Sequence, residues 1–119
     1  MGDARRWQDR QGATVSALIY CPFPDIASAK AASATLLDKK LIACANILGE
    51  TLSLFEWQGE RGESSEVAVL FKTHESILNE TVGCLSKIHP YDAPAVMGWR
   101  CDSVPETTRS WLEEQVQGE

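Results

Sequence analysis

Two apolar stretches dominate the middle of the chain, 43–57 and 66–73, and a polar segment separates them. Across 51–57 the pattern has a period of two. Leu52, Leu54 and Glu56 fall on one side, and Ser53, Phe55 and Trp57 on the other, as alternating strand side chains do. In 67–73, Val67, Val69 and Phe71 alternate with Ala68, Leu70 and Lys72, so both faces of this strand are largely apolar and need cover. Segment 58–65 carries Gly59 and Gly62 among polar residues and reads as the turn of a hairpin. The first strand is long compared with the usual length of about 5–6 residues. Gly49 inside it marks a bulge or bend. A long bent hairpin with apolar residues at its tip is hard to bury within a small domain, which points to partner subunits.

The flanking patterns complete a domain. Thr14 to Cys21 is a continuous apolar run suited to a strand buried on both faces, and Pro22 and Pro24 are expected to stop it. Asp25 is a good N-cap, and Ile26, Ala29, Ser33, Leu36, Leu37 and Leu41 recur at helical spacing, predicting a helix over 26–40. A second helix is predicted over 75–88 and ended by Pro90, because the residue before a proline is pushed out of the helical region. A short strand over 95–100 follows. A last helix begins near Pro105, with Trp111, Leu112 and Val116 as its buried side. The order is β-α-β-β-α-β plus a C-terminal helix, the ferredoxin-like α+β pattern: an antiparallel sheet with two helices on one face. The other face must be covered by the last helix and by neighbouring subunits. Residues 1–13 read as a polar tail with Trp7 as a local anchor, and 14–117 as one domain.

Composition narrows the function. With 119 residues and a formal charge of −6, the chain is one acidic domain without a basic stripe. It is a poor polyanion binder, since phosphate contacts dominate nucleic-acid affinity. Arg5, Arg6 and Arg10 form the only basic cluster and sit in the tail. No apolar run approaches the roughly 18 residues of a membrane helix, and the N-terminus lacks the apolar core of a secretory signal. A cytoplasmic protein is expected, its four cysteines (Cys21, Cys44, Cys84, Cys101) reduced and far apart. No nucleophile elbow or phosphate-binding glycine loop is present, which argues against an enzyme.

Several segments resemble the CutA family of divalent-cation-tolerance proteins. Lys39 to Ile47 is similar to that family's "K-L-A-A-C-V-N-I", and Ser53 to Gly59 to its "S-x-Y-x-W-x-G". Glu66 with Phe71-Lys72-Thr73, His89-Pro90-Tyr91 and Trp111-Leu112 follow in register. The resemblance implies a ferredoxin-like fold and a homotrimer in which the long hairpin strands pair between subunits. It also implies a likeness to PII-like signalling trimers, which bind small effectors between subunits, and a link to copper and other divalent cations.

The candidate metal residues are Cys21 and His89, which end the first strand and the second helix and can meet at one edge of the sheet. A thiolate and an imidazole suit copper, and the resemblance implicates these positions in metal binding. The other reading is structural: Cys21 a small buried hydrophobe and His89 a helix-end histidine bonded to backbone. Two positions depart from the family pattern: Ala95 stands where an acid is common, and Ile88 where some members have a second histidine. No cofactor is required; copper or another divalent cation is the candidate. Glu56 is a charge on an apolar face, expected at a rim or paired with Lys72 or Arg100. Trp57, Tyr91 and Trp99 are expected at subunit interfaces, and Trp57 and Tyr91 also as walls of an inter-subunit effector cleft. For an anionic effector, Lys72, Arg100 and the backbone N–H groups near 90–94 are the candidate contacts. His74 is expected as an exposed helix cap.

Overall fold

The computed structural model describes residues 15–116. The expected tail and its Trp7 anchor lie outside the described residues. The elements run β1 (Ser16–Phe23), α1 (Ile26–Asp38), β2 (Cys44–Trp57), β3 (Glu60–His74), a 3-10 turn (Glu75–Ile77), α2 (Leu78–Ile88), β4 (Met97–Arg100) and α3 (Glu106–Gln115). The four strands form one antiparallel sheet in the order β2-β3-β1-β4. This is the ferredoxin-like arrangement that the sequence predicts.

Local chemistry fixes the ends of α1. Asp25 accepts a hydrogen bond from the Ser28 amide at 2.8 Å. At the other end Lys40 takes a left-handed φ of 57°. The Lys40 amide then bonds Leu37 O and the Leu41 amide bonds Leu36 O, closing the helix in a Schellman motif. Helix α1 therefore stops at Asp38 rather than at 40. The Leu41 carbonyl just beyond it accepts from both Thr73 Oγ1 (2.6 Å) and Thr81 Oγ1 (3.2 Å), which ties the loop to β3 and α2.

The core sits on one face of the sheet. Ile19, Cys21 and Phe23 of β1 lie opposite Phe71, Val69 and Val67 of β3, and all six pack with Ala29 and Leu36 of α1 and Leu85 of α2. Leu18, Tyr20, Leu70 and Lys72 on the other face are only half-buried. Helix α3 packs against β3 and buries Leu112 and Val116. Trp111, expected on the same buried side, is 41% exposed.

The hairpin differs from its expected form in one respect. Its turn is two residues, Gln58 and Gly59, with φ of 53° and 83°. That is the type I′ geometry whose twist matches antiparallel strands. Residues 60–65, expected as loop, continue β3 and pair with β2 from Leu52 to Trp57. Their polar side chains hide a strand whose cohesion comes from backbone pairing. The bulge expected at Gly49 is present: the register shifts between Ile47 and Gly49, and Gly49 has a φ of 102°.

Candidate functional site

The first strand does not stop at Pro22. It runs on to Phe23, with Pro22 paired to Ala68. Hydrogen-bond direction explains this. The Val15 carbonyl accepts from Glu75 on the β3 side and the Ser16 carbonyl from Cys101 on the β4 side. Directions alternate along an antiparallel strand, so Pro22 faces the β4 side. Strand β4 has already ended there, at the pair Tyr20–Met97. The missing proline N–H costs the sheet no bond, but the Pro22 carbonyl is left without a strand partner. His89 supplies one: its Nε2 donates to Pro22 O at 2.8 Å.

The end of α2 aims that ring. His89 leaves the helix with extended backbone, as the following Pro90 requires. The Tyr91 amide donates to Nδ1 at 3.1 Å, so Nδ1 carries the lone pair and Nε2 the proton. The ring stacks on Phe23 with centroids 4.5 Å apart and meets Tyr91 at 4.9 Å. His89 and the end of β1 are thus brought together, as the sequence predicts. Both imidazole nitrogens are nevertheless occupied by backbone.

Cys21 is fully buried in the core, and its thiol lies 3.6 Å from Pro22 O. Burial first, and then the charge of Glu66, push its pKa up to about 12. The thiolate that a metal would bind is therefore disfavoured. As they stand, Cys21 and His89 do not present a ready pair of donors. Among the described residues no group of three or more His, Cys, Asp or Glu side chains is placed to hold a metal ion.

Beside this corner lies an open cleft of about 830 Å3. Phe55 and Trp57 of the hairpin tip form one side, the 90–95 loop with Tyr91 and Asp92 the other, and Glu66 lies between. Tyr91 donates its hydroxyl to Glu66 Oε2 at 2.8 Å. Burial, that bond and the Glu66 charge push the Tyr91 phenol up to about 12. In the sequence Glu66 stands out only within a family-like segment. Its partnership with Tyr91 spans 25 positions, and nothing local in the sequence marks it.

The remaining candidate residues are dispersed. Glu56 pairs across the hairpin with Arg61 at 2.7 Å, not with Lys72 or Arg100, in a solvent-exposed contact. Such a pair contributes about 0–1 kcal/mol. Arg100 bonds Glu75 at 3.2 Å and, with Trp99, borders a separate depression near the start of α2. Lys72 lies in mid-strand opposite Leu18. Neither Lys72 nor Arg100 lines the 90–95 cleft. His74 caps the 3-10 turn that leads into the second helix, accepting from the Ser76 amide at 3.1 Å, but it is buried rather than exposed. Ala95 lines the cleft, and Ile88 is partly exposed at the end of α2.

Comparison with known proteins agrees with this architecture. A family model described as CutA1 divalent ion tolerance protein matches residues 17–115. The divalent-cation tolerance protein CutA of Pyrococcus horikoshii is 38% identical over 99 residues, covering 83% of this chain and 96% of its own length. Its counterpart in Thermotoga maritima is 37% identical over 99 residues, with 83% and 97% covered. Crystallographic CutA1 from Pyrococcus horikoshii has a TM-score of 0.81 at 35% identity, covering 86% of this chain and 99% of that one. A CutA from Archaeoglobus fulgidus, described as a periplasmic divalent cation tolerance protein, has a TM-score of 0.81 at 27% identity, covering 86% and 99%. No helix among the described residues is long and apolar enough to cross a membrane. With the match spanning β1 to α3, the chain belongs to the CutA1 divalent ion tolerance protein family.

Proposed function

We propose that the chain acts as a non-enzymatic homotrimer in the response to divalent cations, binding copper only weakly. The observation that carries this reading is the apolar surface of the hairpin. Leu52 and Leu54 are each 65% exposed on one face of β2, an edge strand. Leu48 at the bulge and Met97 on the opposite edge strand, β4, are exposed as well. Large apolar side chains left exposed beside open strand edges are a liability in a monomer and are covered by pairing with further copies. Three copies rather than two follow the family resemblance. The structural work done by both histidines supports a protein without catalysis: His74 caps a helix and His89 closes a strand end. Four unpaired thiols suit a reducing, cytoplasmic setting.

Copper uptake at Cys21 and His89 requires the imidazole to release a backbone bond and the buried thiol to lose its proton. It is therefore weak at neutral pH. Native mass spectrometry with added Cu(II) tests both parts. The expected result is a species of three times 13.1 kDa that takes up copper sparsely, with uptake reduced further in Cys21→Ser. A monomer, or tight stoichiometric uptake unchanged in Cys21→Ser, would overturn the proposal. A second reading, a trimer that binds a small effector, is favoured by the cleft between the hairpin tip and the 90–95 loop.

A further inference from the structure

We propose that this cleft is a binding site for an alkylated ammonium cation. The inference deepens the effector-binding reading and reverses the charge expected of the effector. Three aromatic side chains line the cleft: Phe55, Trp57 and Tyr91. Two carboxylates, Glu66 and Asp92, line it as well, and no lysine, arginine or histidine among the described residues does. An anion would meet like charge there. A hard metal ion would gain little from the rings. A quaternary or heavily alkylated ammonium gains from both groups, because its diffuse charge sits on aromatic faces and its weak hydration is easily given up.

The position of each group favours this chemistry. In the single chain Trp57 is 57% and Phe55 44% exposed, and both rings line the cleft. Both lie on the hairpin face opposite Leu52 and Leu54, so the cleft is distinct from the apolar patch assigned to assembly. Tyr91 is held in place at both ends. Its ring leans on His89, itself stacked on core Phe23, and its hydroxyl is fixed to Glu66. The Tyr91–Glu66 bond uses one carboxylate oxygen and keeps the negative charge at the cleft wall. A volume of about 830 Å3 admits a choline-sized cation with room to spare.

The probe is tetramethylammonium chloride, titrated into the full chain at constant ionic strength. Binding is followed by NMR shifts of the Trp57 indole and of the 89–95 backbone amides. Saturable shifts confined to those groups are expected. Trp57→Leu and Glu66→Gln should each weaken binding about tenfold. Trp57 is exposed at the hairpin tip, so its replacement leaves the core intact. The neutral isostere 3,3-dimethyl-1-butanol should bind at least about tenfold more weakly than its trimethylammonium counterpart, choline. Shifts that only rise linearly, or an affinity unmoved by both substitutions, would overturn the proposal. Equal binding of the neutral isostere would also end it, while leaving the broader effector-binding reading in place.

Discussion

His89→Ala should be the most damaging single substitution at the cleft, lowering stability by about 3 kcal/mol. The change leaves the Pro22 carbonyl without the donor that now stands 2.8 Å away. A fully buried orphaned acceptor costs about 1–3 kcal/mol, and the half-buried Pro22 carbonyl falls at the lower end of that range. It also removes the ring that stacks on Phe23 and the acceptor for the Tyr91 amide, so the 90–95 loop loses its anchor. His89→Gln, with an amide of similar reach, should recover part of the loss. Urea unfolding at fixed protein concentration measures both, since an oligomer's midpoint depends on concentration. A His89→Ala chain as stable as the parent would mean that the Pro22 carbonyl finds another donor.

The second large effect concerns assembly. Introducing Leu52→Asp and Leu54→Asp together should convert the proposed trimer to a folded monomer. Each leucine is 65% exposed in the single chain, so neither change disturbs the core. In the proposed assembly each would place a charge where an apolar contact is expected, at a cost of several kcal/mol per subunit. Sedimentation velocity separates a particle of three times 13.1 kDa from one of 13.1 kDa. A double variant that sediments like the parent would place the interface elsewhere. Glu56→Ala, by contrast, should change little, because its pairing with Arg61 is solvent-exposed.

The order of elements was legible because each carries its own period: alternation in β2, i/i+4 spacing in α1, and a Pro-terminated α2. The capping role of Asp25 and the bulge at Gly49 were legible because both depend on local backbone chemistry. What escaped depends on non-local geometry. Residues 60–65 look like loop because polar side chains conceal a strand sustained by backbone pairing alone. With the turn placed there, the cross-strand partner of Glu56 could not be found, since Arg61 was assigned to the loop. Pro22 looks like a terminator until hydrogen-bond direction shows that its lost N–H faces an empty edge. That His89 would reach the end of β1, where Cys21 lies, was predictable from topology. Their detailed chemistry was not: a backbone carbonyl engages the imidazole and core burial keeps the thiol protonated. Tyr91 and Glu66 were visible separately, and only the folded chain joins them.

Pairing of β2 with a neighbouring copy is the claim on which the assembly rests. Hydrogen–deuterium exchange of the β2 amides, resolved by residue, tests it most directly. Amides directed at β3 are bonded within the chain and should be protected in any case. Those directed away from β3 lie on an open edge in the single chain. Between Thr51 and Trp57 they should exchange as slowly as their inward neighbours in the parent protein, and rapidly in the Leu52→Asp, Leu54→Asp variant. Rapid exchange of the outward amides in the parent would contradict it, because β2 would then be a free edge.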